Sequence, residues 1–317
     1  MVIFLLYLLV VVGIVLLSNK ASEYVDLLDK KTKLSGAFIG GVMLSAVTSL
    51  PELFTSISST IFLNEPGLCM GNILGSNLFN LATLATLILV YFNQFKKATI
   101  SGSHTKITLF TFLIYVVILL NLTRTLSFSL MTVSITSFII IGLYTSGVKL
   151  MSAENGLQDL EDSEDNSPLT VRQISVRFAL VSAGIIGLSI IITYLTNHIA
   201  DTLNVGAGFA GALLLGIATS LPEVCSTLAL FKMRNYNIAI GNIIGSNIFN
   251  FMILGLADIV YIGSGIYDFS DPKTISLLML GMVATPLMLL LVKTKSQAAQ
   301  KLYPIGIVAC YFGFLVS

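Results

Sequence analysis

One ten-residue sequence occurs twice in this 317-residue chain, as G-N-I-L-G-S-N-L-F-N at Gly71–Asn80 and as G-N-I-I-G-S-N-I-F-N at Gly241–Asn250. The two copies differ only by the exchange of Leu for Ile at two positions. About twenty residues before each copy stands T-S-L-P-E, at Thr48–Glu52 and identically at Thr219–Glu223. Chance does not produce two matches at a nearly constant offset, so the sequence predicts two related halves.

The composition around these motifs is typical of an integral membrane protein. Hydrophobic residues make up 55% of the chain and charged residues only 10%, and the mean hydropathy is +0.92. Because a soluble protein needs roughly a quarter of its residues charged, a soluble enzyme and a disordered chain are excluded. The net charge of +1 predicts no basic face for nucleic acid. Three widely separated cysteines predict neither a disulfide framework nor a CxxC metal site.

Apolar stretches of the right length recur along the whole chain. A bilayer core about 30 Å thick is crossed by roughly 20 residues of apolar helix. We therefore predict an all-α integral membrane fold with ten transmembrane helices, at residues 2–18, 37–62, 69–92, 106–122, 127–149, 175–197, 207–231, 238–262, 274–292 and 302–316.

The cationic residues lie almost entirely on one side of these spans. Of the 17 Lys and Arg, 15 fall in the loops that follow the odd-numbered spans. This bias predicts that those loops are cytoplasmic and that both termini are outside. We expect a multi-pass protein of a cell membrane, either a plasma or an inner membrane.

An odd number of spans separates the two motif copies, so they run in opposite directions. The chain is predicted to contain a five-helix repeat at 1–150 with its motif at 37–92, an acidic cytoplasmic connector at 151–172, and an inverted five-helix repeat at 173–317 with its motif at 207–262. Inverted-topology repeats are typical of secondary transporters, whose substrate site lies near the membrane midplane.

Each motif places a glutamate near the centre of a span. Glu52 and Glu223 each follow a proline, Pro51 or Pro222. A carboxylate at that depth costs several kcal/mol and by default marks a functional site that faces the protein interior. One isolated glutamate could be a packing anchor, but two glutamates in matching positions favour a shared function. Each proline also removes a backbone donor and frees a carbonyl oxygen in the preceding turn.

Hydroxyl and amide side chains share helical faces with these glutamates. Thr48 and Ser49 lie one turn before Glu52, and the same arrangement recurs in the second motif. The spacing of Ser76 and Asn80 places both on one face of the next span, and Ser246 with Asn250 repeats it. Oxygen donors without a set of His or Cys ligands suit hard cations such as Ca²⁺ and Na⁺.

Two carboxylates can neutralise one Ca²⁺ or two Na⁺, so the two kinds of ion would exclude each other from the site. Such mutually exclusive occupancy is the physical basis of exchange. Two neighbouring carboxylates in a medium of low dielectric constant also repel each other. We therefore expect protons to compete with the cations.

At these residues the chain resembles the calcium/cation antiporter superfamily, and within it the sodium/calcium exchangers of minimal prokaryotic type. The resemblance covers essentially the whole chain. It implies that the four motif-bearing spans surround an ion site in which Glu52 and Glu223 are the central ligands of Ca²⁺ and Na⁺. The further ligands it implies are Thr48, Ser49, Ser76, Asn80, Thr219, Ser220 and Ser246. It also implies alternating access, in which the first and sixth spans slide across the core, and no cofactor other than the transported ions.

One residue departs from the pattern of the family. Many sodium/calcium exchangers have Asp at the end of the second G-S-N motif, where this chain has Asn250. We keep Asn250 among the expected ligands, but the site then carries two formal negative charges instead of three. This difference predicts an altered stoichiometry, pH response or selectivity.

Three alternatives to Na⁺/Ca²⁺ exchange stay open at this point. A proton, or a cation other than Ca²⁺, could take part in the exchange. A cation channel is less favoured, because channels build filters by rotational symmetry and not by an inverted repeat within one chain. An intramembrane hydrolase is disfavoured because the glutamates have no ligand histidine. Asp258, near the end of its span, is expected to be a solvated interfacial residue.

Overall fold

The computed structural model describes residues 2–32, 44–126, 128–155, 168–263 and 265–317. Most of the predicted connector at 151–172 and the start of the span predicted at 37–62 therefore lie outside the described residues. Within those ranges the regular secondary structure is helical apart from one short hairpin. The elements are α1 (Val2–Thr32), α2 (Leu44–Thr48), α3 (Leu50–Ile61), α4 (Pro66–Val90), α5 (Phe92–Phe95), α6 (Gly102–Leu122), β1 (Ser129–Leu130), β2 (Val133–Ser134), α7 (Ile135–Asn155), α8 (Val171–Leu203), α9 (Ala207–Ala210), a π-helical turn (Gly211–Leu215), α10 (Gly216–Lys232), α11 (Tyr236–Val260), α12 (Pro272–Lys293) and α13 (Ala299–Val316).

Eight helical segments among the described residues are long and apolar enough to cross a membrane by length and composition: α1, α4, α6, α8, α9 continued through α10, α11, α12 and α13. The protein is thus an all-α, multi-pass membrane protein. The full count of ten stays a prediction, because the described part of the second span is broken at Ser49 and the apolar part of α7 covers only Ile135–Lys149.

Two helix boundaries differ most from the sequence prediction. The span predicted at 127–149 begins later, since the β1–β2 hairpin precedes α7 and the helix starts at Ile135. The first helix continues to Thr32, well beyond the predicted end at residue 18. Hydropathy detects the apolar length of a segment, whereas the α1 backbone stays helical through its polar end.

The two helices that carry the ten-residue motif form the centre of the bundle. In their most apolar windows, 67% of the α4 residues and 72% of the α11 residues are buried, against 22% for both α1 and α8. Leu74 and Leu78 of α4 belong to the same core cluster as Ile243 and Ile248 of α11. Polar residues on these helices are consequently enclosed by protein.

The backbone of α4 lies unusually close to the segment that leads into α10. A Cβ placed on Gly75 would lie 2.5 Å from the Cα of Ala212, and one on Gly71 would overlap the Gly208 carbonyl. Glycine is required here because backbone stands directly against backbone. This close approach brings the first motif helix against the second motif.

Candidate cation site

The first glutamate lies just after an interruption of the helix at Ser49. Helix α2 ends at Thr48 and α3 begins at Leu50, with Pro51 in its first turn. Proline is well suited to that position because the first helical residues have no intrahelical partner for their N–H groups. Glu52 consequently lies in the first turn of α3, where the positive end of the helix dipole favours a carboxylate.

The second glutamate stands inside a helix that is irregular before it. The π-helical turn at Gly211–Leu215 leads directly into α10, and Pro222 lies within that helix. Because proline has no N–H, the carbonyl of Ala218 loses its usual donor one turn before Glu223. Both glutamates therefore directly follow a proline at a locally weakened stretch of helix.

Serines connect the two glutamates crosswise. The Ser49 hydroxyl donates to Oε1 of Glu223 at 2.9 Å, and the Ser220 hydroxyl donates to Oε1 of Glu52 at 3.0 Å. Ser246 also donates to Oε1 of Glu223, at 3.4 Å. Within the described part of the chain, Oε2 of each glutamate is buried and accepts no hydrogen bond. Each carboxylate thus has one engaged oxygen and one oxygen free to bind.

The other predicted hydroxyls lie at the same place and bond mainly to the backbone, although Thr219 also donates to Oδ1 of Asn72 at 3.4 Å. Thr48 and Thr219 donate to carbonyls about one turn earlier in the chain, at 3.2 and 2.8 Å. Ser76 donates to the Gly216 carbonyl of α10 at 3.2 Å. All ten predicted site residues are at most 1% exposed.

The predicted amides, Asn80 and Asn250, belong to a group of four. Nδ2 of Asn80 donates to Oδ1 of Asn247 at 3.1 Å, and Nδ2 of Asn250 donates to Oδ1 of Asn77 at 3.0 Å. Oδ1 of Asn80 and Oδ1 of Asn250 are buried and accept no hydrogen bond from the residues that the structure describes. Their amide oxygens are therefore free to bind a cation.

Another pair of asparagines fastens each motif helix to its neighbour. Asn72 on α4 donates to the hydroxyls of Thr55 and Ser56 on α3, both at 3.0 Å. Asn242 on α11 donates in the same way to two hydroxyls of α10, those of Ser226 at 2.9 Å and Thr227 at 3.1 Å. These bonds keep the glutamate-bearing helices in register with α4 and α11.

Sequence reasoning did not include Asn77 and Asn247 in the site. Both lie in the quoted motif and are 0% and 2% exposed. The sequence does contain a signal for them, because an asparagine stands at this position of an apolar span in both motif copies. The prediction followed the i, i+4 stripe of Ser76 and Asn80 and left out these two asparagines, which lie beside that stripe.

The expectation for Asp258 was wrong, since this residue is only 1% exposed. Its Oδ2 accepts hydrogen bonds from the backbone N–H of Ser134 at 2.8 Å and from the hydroxyl of Ser137 at 2.6 Å. These donors belong to the hairpin and to the first turn of α7, which cover the end of α11. The carboxylate thus binds the N-terminus of a helix.

These observations define a class of protein: a multi-pass membrane protein in whose helical core two carboxylates are enclosed with neutral oxygen donors. Among the described residues there is no group of three or more His, Cys, Asp or Glu that could hold a metal ion. Any cation bound here would therefore depend on hydroxyl, amide and carbonyl oxygens as well as on the two glutamates.

Comparison with known proteins agrees with this class. The sequence profile described as sodium/calcium exchanger protein matches residues 2–149 and 174–317. The chain belongs to this family, which is a family of membrane transporters.

A relative and two solved structures illustrate the similarity. The putative antiporter CaxA of Alkalimonas amylolytica is 27% identical over 257 residues, which cover 79% of each chain. The crystal structure of the H⁺/Ca²⁺ exchanger CAX has a TM-score of 0.78 at 12% identity, covering 99% of this chain and 82% of the other. The sodium-calcium exchanger NCX_Mj has a TM-score of 0.62 at 20% identity, covering 99% and 97%. At these identities the structures are similar in fold alone.

Proposed function

We propose that the protein is a secondary active antiporter that exchanges Ca²⁺ for Na⁺ by alternating access. The observation that carries this proposal is the buried pair Glu52 and Glu223, each with one free carboxylate oxygen. A buried charge is retained in a membrane protein only where it is compensated, and here the compensation would be the transported cation.

The donor set suits a hard cation. Ca²⁺ takes six to eight oxygens and accepts carboxylates, amide oxygens and carbonyls. Among the described residues, the predicted ligand atoms without a hydrogen-bond partner include Oε2 of the two glutamates and Oδ1 of Asn80 and Asn250. The serine hydroxyls that bond to the carboxylates can also turn a lone pair toward an ion, because a hydroxyl both donates and accepts. Na⁺ prefers the same oxygen donors in smaller number.

The charge of the site indicates a stoichiometry. With Asn250 neutral, two glutamates supply two negative charges, which one Ca²⁺ or two Na⁺ would neutralise. A site with excess positive charge in a medium of low dielectric constant is unfavourable. We therefore propose exchange of one Ca²⁺ for two monovalent cations, which moves no net charge.

The paired hydrogen bonds support the repeat on which alternating access depends. Ser49 to Glu223 and Ser220 to Glu52 are matched contacts, offset by the same 171 residues. The proposed arrangement is two inverted five-helix repeats whose motifs meet at one site. Helices α1 and α8, which are among the least buried of the described spans and pack against each other, are the proposed moving pair.

Proton coupling is the second candidate, and the same carboxylates favour it. Two buried glutamates with free oxygens can each hold one proton, and two protons neutralise the site as two Na⁺ do. Exchange of Ca²⁺ for protons would then use the same residues. The two candidates differ only in the monovalent ion.

The test is uptake of radiolabelled Ca²⁺ into proteoliposomes that contain the purified protein. Vesicles loaded with Na⁺ are diluted into Na⁺ or K⁺ medium. A second set, loaded with K⁺ at acid pH and free of Na⁺, is diluted into K⁺ medium of higher pH, which gives an outward proton gradient. Uptake is expected only with an outward Na⁺ gradient, and it should be lost in Glu52→Gln and Glu223→Gln. Glu23→Gln is the matched control, because Glu23 is exposed and pairs with Lys20 in α1.

Each result has a definite meaning. Uptake driven equally well by a pH gradient without Na⁺ would mean that protons can serve as the coupling ion. Absence of Ca²⁺ uptake under every gradient would refute the proposed function. Full activity in either glutamine variant would show that the cation binds elsewhere.

A further inference from the structure

We infer that Asn77 and Asn247 are positioning residues that determine which end of the Asn250 and Asn80 side chains faces the transported cation. The inference rests on the proposed function, since it concerns the same site. It assigns a role to the two motif asparagines that the sequence prediction did not include in the site.

The geometry gives each amide in the site a defined partner. Asn250 donates through Nδ2 to Oδ1 of Asn77, and Asn80 donates through Nδ2 to Oδ1 of Asn247. Both bonds run between α4 and α11. In each case the nitrogen is occupied, and the oxygen is the atom left without a partner among the described residues.

The chemical consequence follows from the asymmetry of an amide. A primary amide has a donor end and an acceptor end of nearly equal size, and only its oxygen can bind a cation. Rotation by 180° about the last side-chain bond exchanges the two ends with little steric change. Without an acceptor for the nitrogen, the amide can present N–H groups to a positive ion. An acceptor of fixed position therefore selects the binding orientation.

One of the two acceptors, Asn247, is itself held in place by a further hydrogen bond, whereas Nδ2 of Asn77 has no partner among the described residues. Asn247 donates through its own Nδ2 to the backbone carbonyl of Asn77 at 3.0 Å, which orients its Oδ1 toward Asn80. Asn77 and Asn247 are both buried, so water does not replace these bonds. The four amides form one connected group that spans both motif copies.

The test uses a property that separates orientation from structure. A carboxylate has two equivalent oxygens and no donor end, so its binding needs no orienting partner. Asn77→Leu removes the acceptor with nearly unchanged size, and Asn250→Asp removes the need for it. The half-saturating Ca²⁺ concentration for uptake is measured in the wild type, in each single variant and in the double variant.

We expect Asn77→Leu to raise that concentration about tenfold, as is usual when a residue that orients a metal ligand is lost. In the Asn250→Asp background the same substitution should change it less than about twofold, because the coupling between the two positions is lost. Asn247→Leu, tested with and without Asn80→Asp, is the second cycle if Asn77→Leu fails to fold.

The control is Asn121→Leu, which removes an amide that bonds to Ser134 and Thr136 away from the site. It should lower the melting temperature in detergent without changing the half-saturating Ca²⁺ concentration. An equal effect of Asn77→Leu in both backgrounds would mean a structural role and would overturn the inference, as would no effect at all.

Failure of the proposed function is visible separately. Ca²⁺ binding is also read as thermal stabilisation of the protein in detergent. A wild type that Ca²⁺ stabilises but that transports no Ca²⁺ refutes the exchange function, while the same cycles, read as thermal stabilisation, still support or overturn the orienting role.

Discussion

Substitution of Gly75 by alanine tests the contact that holds the two motif segments together. The added Cβ would lie 2.5 Å from Cα, 2.7 Å from Cβ and 2.9 Å from the carbonyl oxygen of Ala212. Ordinary contacts of a Cβ begin at 3.4 Å. Because the closest of these atoms belongs to the backbone, α4 and the segment before α10 must separate by about 0.9 Å. Overpacking of this kind lowers the free energy of unfolding by about 1–3 kcal/mol.

The displacement reaches the candidate site at the next residue. The hydroxyl of Ser76 lies 3.2 Å from the carbonyl of Gly216 and joins the same two segments. A separation of this size stretches that contact to roughly 4 Å, beyond hydrogen-bond range. Gly75→Ala is therefore expected to lower the melting temperature and to raise the half-saturating Ca²⁺ concentration together.

Unfolding is measured in detergent with a thiol-reactive dye. Cys69 and Cys310 are buried and react only on unfolding, whereas Cys225 is exposed and reacts at once. Gly142→Ala is the matched control, because in the described structure no atom lies within 4 Å of its added Cβ. In α7 this change should stabilise the helix by up to about 1 kcal/mol. A Gly75→Ala protein with the melting temperature and the half-saturating Ca²⁺ concentration of the wild type would refute the reasoning.

Three further predictions concern charge. Asn250→Asp adds a third carboxylate, so a Ca²⁺ concentration jump should produce a transport current on a supported membrane, whereas the wild type should produce none. Asp258→Ala should lower the free energy of unfolding by about 1–3 kcal/mol, because it leaves the Ser134 N–H without its buried partner. Thermal unfolding should detect this loss of stability, and the half-saturating Ca²⁺ concentration should not change. Burial, with Asp201 and Asp268 nearby, raises the pKa of Glu65 at the start of α4. The folded state therefore holds the proton more tightly and loses stability as pH rises through this pKa. Glu65→Gln should raise the melting temperature at pH 8 and leave it unchanged at pH 4.

Much of the site could be predicted because the membrane makes buried polar residues conspicuous. A glutamate in an apolar span has few explanations, and the sequence repeat pointed to the second glutamate. Spacing along a helix, however, reports which residues share a face and not which helix lies opposite. Ser49 and Ser220 stand beside the glutamate of their own motif in sequence, yet each donates to the glutamate of the other motif. Only the packing of α3 against α10 and α11 determines that exchange of partners.

The burial of Asp258 shows a second limit of sequence reasoning. Hydropathy places this residue at the end of a span, where water is the default neighbour. The hairpin at Ser129–Ser134 folds over that end and supplies a backbone donor. With two residues per strand, it has too few positions for an alternating pattern to be recognised.

The neutral residue at position 250 gives the proposed site a symmetry that an aspartate there would remove. Asn80 and Asn250 each donate to an amide in the other motif and keep a free oxygen, and each glutamate accepts from a serine of the other motif. If the halves are inverted repeats, matched ligands make the inward-facing and outward-facing sites nearly equal in affinity. A ligand with equal affinity for two states does not shift their populations. Uptake and release should then show the same half-saturating Ca²⁺ concentration from either side of the membrane.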